Sequence, residues 1–554
     1  MSRARSEEMS PGSRRSVLGL RPGLWLALIC AGAVLVHLPL LWGEFTNFDD
    51  GGQITENETI SNPSWESFHQ VLTTNFDRKN ANPMYISFML NWALTPWSYT
   101  GFAVFNLAWL VITILVFHRF AGLFLSTPRW QLLATALFAV HGVKADLVGW
   151  MSARCHFMAM PFFLAAFVAW QRYIDAVDPR ERSRWYALAL LAGVAACLNK
   201  NLFVVVFPLL IVYDLAQRRR PGPAFFVDKL LPAALAYLIV TVVPGKVEWS
   251  MAHKADSWLE NLSRVWLTDM NLLAQYLFQL VVPTSTSVAV SVFPVDGLFE
   301  VSEGAGLAFM EFTPAASIAA LILLVSAAVL AWRVWELRLP FWALLWTLVA
   351  LLPVLNVIPF WLDFAFRFCW IPLTFWCVAA VGSFAALHRR LGRVGKRMAL
   401  GLLAAYLACH AGYSVEQSAS FESPERYFSR CLESFPDARM VAFKLGQYRA
   451  RNYPAAAIEA YLAEDRVLVE KRTGRPFFSR FALVNAFKRL GDEKRAALHY
   501  ERLLLRSSGP DSLSLQPKAR RRIRRFLKKN PIHDSDYERF GMEQIRELVE
   551  AGGR

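Results

Sequence analysis

The chain reads LWLALICAGAVLVHLPLLW over residues 24–42 and GEFTNFDD over residues 43–50. The first stretch holds no Asp, Glu, Lys or Arg and a single His, His37. Its roughly 19 residues suffice to cross a bilayer core of ~30 Å as a helix. The second stretch ends in two adjacent acids, Asp49 and Asp50, set where that helix leaves the membrane. Paired carboxylates at such a place are costly unless they meet water, a cation or a substrate. The pair is therefore a candidate active centre, with Asp49 or Asp50 as catalytic base. A solvated turn is the plain structural alternative.

Composition agrees with a membrane chain. Hydrophobic residues make up 55% of the sequence and charged residues 19%, where soluble domains carry about a quarter charged. The net charge of +15 lies largely in short Arg/Lys clusters between apolar blocks and in the tail. Anionic cytoplasmic leaflets favour that pattern, so it does not call for nucleic acid. Seven Cys, at 30, 155, 197, 369, 377, 409 and 431, form no CxxC pair. Most fall within apolar blocks, so neither a disulfide framework nor a zinc site is expected. The basic, Ser-rich N-terminus runs into a long apolar segment without a small-x-small cleavage site, which favours an uncleaved first span over a signal peptide.

Further apolar blocks lie at 101–120, 130–140 with its continuation, 157–173, 185–198, 202–215, 230–243, 315–332, 341–360, 368–387 and 398–412. They bring the expected total to about eleven spans. Asn199-Lys200-Asn201 is hard to keep in lipid, so 185–198 and 202–215 read as two short helices meeting at a water boundary. With the Arg-rich N-terminus in the cytoplasm, alternate loops carry the Arg and Lys clusters around Arg119, Arg180, Arg219, Arg333 and Arg390, as the positive-inside rule asks. That pattern requires 261–282 not to span and puts the C-terminus outside.

The expected fold class is all-α: a multispan helical membrane protein with a soluble helical tail. Residues 1–23 form the cytoplasmic basic N-terminus and 24–413 the transmembrane domain, with outer loops at 43–100 and 244–313. Residues 414–554 form the helical domain on the outer side. In that tail Leu445-Gly446-Gln447-Tyr448, Asn452-Tyr453, Ala457 and Tyr461 have the small/aromatic spacing of a tetratricopeptide hairpin. Ala486-Phe487, Gly491, Ala497 and Tyr500 give a second partial copy, with a generic helical bundle as the alternative. The very basic run at 518–529 reads as a solvated helix face, ahead of contact with lipid headgroups or an anionic glycan.

Under this topology the unusual polar residues Asp49, Asp50, His141, Lys144, Asp146, Arg154, Lys200 and Arg367 converge on the outer side. Acids and cations facing one compartment suit a reaction on a phosphate-linked substrate. A carboxylate takes a proton from an acceptor hydroxyl, and Arg or Lys stabilise the charge on a departing phosphate. The structural alternatives are a bare interfacial His141, snorkelling by Lys144, Arg154 and Lys200, and cation–π packing of Arg367 beside Phe364, Phe366, Phe368 and Trp370.

Several motifs occur in a telling order: Phe48-Asp49-Asp50 with Ile54 and Asn57, HGVKADLVGW at 141–150, and Ser152-Ala153-Arg154. Leu198-Asn199-Lys200 running on to Tyr213-Asp214 follows, and then FRFCWIP at 366–372. This order resembles the transmembrane and tetratricopeptide-repeat O-mannosyltransferases of the GT-C glycosyltransferase superfamily. The resemblance implies a multispan enzyme that transfers a sugar, often mannose, from a polyprenyl-phosphate carrier to protein hydroxyls. It implies Asp49 or Asp50 as base and Arg154, Lys200 and Arg367 on the carrier phosphate, with His141, Lys144 and Asp146 grouped among the substrate-binding residues. The donor is then a polyprenyl-phosphate-linked sugar, and no metal ligand set is assigned. The chain departs from the family pattern at His141-Gly142 for His-Pro, Asp146 for Glu, Lys200-Asn201 for Lys-Glu, and Asn82-Pro83 for Arg-Pro. A divergent bacterial member in the inner membrane is expected. Sequons at Asn57-Glu58-Thr59 and Asn261-Leu262-Ser263 leave an ER membrane open. The partners implied are the lipid-linked donor, a protein or glycan acceptor, the membrane and a protein held by the repeats. A non-catalytic scaffold is the first alternative. A lipid-linked-glycan transporter is the second, and it calls for titratable groups at mid-membrane.

Overall fold

The computed structural model describes residues 22–46, 48–73, 82–217, 222–241, 273–282, 322, 325, 338–354, 365–434, 439–452, 457–458, 461, 477–506 and 517–540. Among the described residues every regular element is a helix and none is a strand, which bears out the all-α expectation. They divide into two compact units, one up to Ser423 and one from Pro424.

In the first unit the helices that build the site are α1 (Pro22–Val36), α2 (Asn82–Leu94), α3 (Tyr99–Ala121), α4 (Pro128–Val140) and α5 (Arg154–Asp175). They continue with α6 (Pro179–Asn199), α7 (Val206–Ala216), α8 (Pro223–Thr241), α9 (Trp370–Arg390) and α10 (Arg393–Ser420). Among the described residues Tyr99–Ala121, Met151–Asp175, Phe366–Arg390 and Arg393–Ser420 are long and apolar enough to cross a membrane. The pair Pro128–Val140 and Gly142–Gly149, bent by 45°, makes a fifth candidate, and Pro22–Val36, Asn201–Ala216 and Phe341–Val354 are shorter apolar helices. The chain is a multi-pass membrane protein. Nearly all of 315–332, the stretch 355–364 and most of the outer loop 244–313 lie outside the described residues.

Local chemistry sets the helix ends. The Ser98 hydroxyl accepts from Gly101 N at 3.1 Å and so satisfies a donor of the first turn of α3. Asp178 does the same for Glu181 N at 2.8 Å, with Pro179 at the first position of α6. α6 stops at Asn199 because Lys200 is extended, with φ −155° and ψ 121°, and a new helical turn begins at Asn201. The break coincides with the charged residue that is costly to keep within an apolar helix in lipid.

α5 is the central post: 83% of its apolar window is buried, against 11% for α10. Phe120 of α3, Phe167 of α5 and Phe375 of α9 meet edge-to-face, with centroids 5.6 Å apart for Phe120–Phe167 and 5.8 Å for Phe167–Phe375. At the C-terminal end of α5 a buried ionic cluster fastens α7 and α8. Lys229 Nζ donates to Asp214 Oδ2 and to Asp228 Oδ1, each at 2.6 Å. Trp170 Nε1 donates to Asp214 Oδ1 at 2.8 Å, and the Tyr173 hydroxyl to Asp228 Oδ2 at 2.9 Å.

The second unit contains the helices Pro424–Ser434, Arg439–Asn452, Phe477–Arg489, Glu493–Arg506 and Pro517–Lys529. The turn between the third and fourth uses Gly491 at φ +76°, a conformation that glycine adopts without strain. Ala457, Tyr461, Leu483, Val484, Phe487, Ala496, Tyr500 and Ile523 form its core. A Cβ at Gly446 would lie 2.4 Å from the Tyr461 ring, so only glycine fits there. Gly446, Ala457, Tyr461, Phe487 and Tyr500, picked out in the sequence, are thus packing positions between helices, while Tyr453 lies outside the described residues.

Candidate active site

The acid pair follows α1 and precedes a π-helical turn, Gly51–Thr55; Asn47 lies outside the described residues. Its two carboxylates differ in kind. Asp50 is buried, and Thr46 donates to its Oδ2 from both N (3.0 Å) and Oγ1 (2.9 Å). Its Oδ1 accepts from Ser152 N at 3.0 Å and from the Ser152 hydroxyl. Burial pushes the Asp50 carboxyl above its ordinary range, the hydrogen bonds from Ser152 and Thr46 pull against that, and the Asp49 charge adds to the rise. Asp49 is half-buried, and among the described residues nothing bonds to its carboxylate. Asp50 is a strut, whereas Asp49 has lone pairs to use.

Ser152 belongs to the turn Met151–Ala153, so the loop that grips Asp50 also positions Trp150. The Trp150 ring meets Phe48 edge-on at 5.6 Å between centroids. The Arg367 guanidinium lies 5.2 Å from the Trp150 centroid and 5.1 Å from that of Phe368. Arg367 sits on the turn Phe366–Cys369 that leads into α9. Trp150 therefore ties the acid pair to Arg367. Lys200 lies directly before the turn Asn201–Val205, whose Phe203 ring is 6.4 Å from that of His156, buried in the first turn of α5.

The other residues expected at the site are engaged in the packing around it. Arg154 is fully buried and donates from Nε to Asn106 Oδ1 (2.7 Å), from Nη2 to the Phe102 carbonyl (3.0 Å), and from Nη1 to Asn91 Oδ1 and the Ser87 hydroxyl. Its guanidinium also lies 4.8 Å from the Phe88 centroid and 5.1 Å from that of Phe102. A cation so engaged cross-links α2, α3 and α5. The His141 ring lies 4.1 Å from that of His410 on α10 and donates from Nε2 to the Leu280 carbonyl at 2.9 Å. Lys144 does not snorkel: its Nζ is buried and donates to the His141 carbonyl at 3.0 Å. Asp146 Oδ1 accepts from Gln417 Nε2 at 2.8 Å. His141, Lys144 and Asp146 brace the loop after α4, and two of the three do so against α10.

Buried polar groups are nearly always paired. Among the described residues several buried side-chain atoms have no hydrogen-bond partner, and four of them belong to residues near the acid pair and Lys200: Gln53 Oε1, Trp150 Nε1, His156 Nδ1 and Asn199 Oδ1; the others include His37 Nε2 and Trp346 Nε1. None of these four residues was a sequence candidate, and the one available signal was a His directly before an apolar run. Among the described residues no group of three or more His, Cys, Asp or Glu side chains is placed to hold a metal ion.

The fold is that of a multi-pass helical membrane protein, and its acid pair is linked through Phe48 and Trp150 to Arg367. No family model matches the chain. It is 30% identical over 239 residues to protein O-mannosyl-transferase TMTC1 of Mus musculus, a match covering 40% of this chain and 25% of that protein. Over 221 residues it is 27% identical to TMTC4 of Mus musculus, covering 35% of this chain and 30% of that protein. Tmtc2 of Drosophila melanogaster is 26% identical over 276 residues, covering 44% and 28%. The matched segments thus span 25–30% of these curated relatives. The solved structure of ArnT from Cupriavidus metallidurans bound to undecaprenyl phosphate aligns over 88% of this chain and 81% of that one, at 12% identity and a TM-score of 0.37. That likeness is too distant to bear on the site. Over these segments the chain is similar to the TMTC proteins, as the order of its motifs implies.

Proposed function

We propose that the chain is a membrane glycosyltransferase that moves a sugar from a polyprenyl-phosphate carrier to a hydroxyl of a protein or glycan. The observation that carries this is the division within the acid pair: Asp50 is saturated, while Asp49 is available on a loop tied through Trp150 to Arg367. The naming of its relatives as protein O-mannosyl-transferases supports it.

Asp49 takes the proton from the acceptor hydroxyl as that oxygen attacks the anomeric carbon of the donor. The bond from that carbon to the phosphate oxygen breaks with inversion. Arg367 and Lys200 hold the phosphate as its negative charge grows. Asp50 keeps the loop seated on Ser152. On this reading the site opens to the outer, periplasmic face of a bacterial inner membrane, with the N-terminus in the cytoplasm. Residues 414–554 form a tetratricopeptide-like domain on the same side that recruits the acceptor.

Sugar transfer in membranes tests the mechanism. Asp49→Asn should lower transfer by about 10²–10⁴-fold while leaving the folded protein intact. Full transfer by that variant would sink the assignment of the base. Stable capture of a protein partner by a parent chain that binds no polyprenyl phosphate would make it a scaffold instead.

A further inference from the structure

We infer that His156 contacts the donor phosphate: with its proton on Nδ1, it donates a hydrogen bond to a non-bridging oxygen of the departing polyprenyl phosphate. This role rests on the glycosyltransferase reading above and adds a residue that no motif singled out.

His156 is held between the two turns that carry the site's cations. Trp370 Nε1 donates to its carbonyl at 3.1 Å, which fixes the start of α5 against the turn bearing Arg367. Its ring lies 6.4 Å from Phe203, in the turn Asn201–Val205 that follows Lys200. The side chain is 2% exposed, and Nδ1 has no partner among the described residues. A buried nitrogen left open is costly unless something completes it. Beside Lys200 and Arg367, the completing group is an anionic oxygen rather than another donor. A neutral imidazole suffices, because it needs only one N–H to give. His156 thus adds direction to the charge that the two cations supply.

The test uses the purified full chain in nanodiscs, titrated with undecaprenyl phosphate and, separately, with undecaprenol. His156→Ala should weaken undecaprenyl phosphate binding about tenfold, the size expected of one charge-assisted hydrogen bond, and leave undecaprenol unaffected. His156→Asn, whose amide reaches the Nδ1 position, should recover most of the affinity, and His156→Gln should not. Unchanged phosphate binding by His156→Ala, or an equal loss toward undecaprenol, would overturn the role. If His156→Ala does not fold, equal affinities of the Asn and Gln variants would overturn it. A parent chain that binds no undecaprenyl phosphate would remove the glycosyltransferase reading itself, an outcome distinct from failure at His156 alone.

Discussion

The two ends of α5 carry buried polar clusters of opposite character. At the Trp170–Tyr173 end, the Lys229 ammonium holds two carboxylates, Trp170 and Tyr173 donate to the same acids, and the ammonium lies 4.6 Å from the centroids of both Trp170 and Phe225. About 20 Å away along the helix, the Trp150–His156 end has one saturated carboxylate, Asp50, and open atoms on Gln53, Trp150 and His156. One network closes on itself, and the other waits for a polar partner. Buried charge by itself therefore says little about function in this protein, since the more highly charged cluster is the closed one. Unfinished pairing separates the two.

The sharpest way to break this contrast is to open the closed cluster. Lys229→Met leaves Asp214 and Asp228 buried without their cation, which should cost about 3–5 kcal/mol of stability. Denaturation of the detergent-solubilised protein should show this loss, and the fraction that stays folded should bind polyprenyl phosphate with parental affinity. An unchanged denaturation midpoint would mean that the cluster is no staple. A selective loss of lipid-phosphate binding would give the two ends of α5 the same job.

Asp50 comes next, because it is the closed part of the open site. Its folded carboxyl lies above the ordinary range, chiefly through burial. The folded protein therefore holds that proton more tightly than the unfolded chain does. This contribution to stability falls as pH rises from the ordinary carboxyl range through the raised one, and is level above it. Asp50→Asn removes that slope. It also turns an amide NH₂ toward two donors, of either Thr46 or Ser152, at a cost of about 1–3 kcal/mol. The variant should start less stable and show a flatter acid-side profile. A profile parallel to the parent's would mean that another group titrates there.

What the sequence disclosed follows from how local the physics is. The break at Lys200 was legible because a lysine flanked by two asparagines is costly in lipid, and that cost is local to the sequence. The acid pair was legible for the same reason. Which member is free was not, because Asp50 is saturated by Ser152, 102 residues away. Arg154 looked like a phosphate ligand because its partners Asn91, Asn106 and the Phe102 carbonyl lie on other helices and leave no mark near it in the chain. His141, Lys144 and Asp146 shared a short motif, but two of the three face α10, whose His410 and Gln417 read as ordinary residues of an apolar helix. His156 escaped notice because a single His at the head of an apolar run is the usual sign of packing.

The smallest of these effects is at Arg367, and it tests the open end directly. Its guanidinium rests on Trp150 and Phe368, and such contacts at a half-buried position contribute about 0.5–1 kcal/mol each. Arg367→Ala should therefore lower stability by only about 1–2 kcal/mol, well short of the loss at Lys229. Affinity for undecaprenyl phosphate should fall about tenfold, because a charge-assisted contact to an anionic oxygen disappears. The affinity loss should shrink as salt is raised if Arg367 meets the phosphate near water, and persist if the site is sealed. A variant that loses several kcal/mol of stability while binding the lipid phosphate as before would move Arg367 into the same class as Lys229. Cation–π packing would then account for it, and the open end of α5 would have to find its anion through Lys200 and His156 alone.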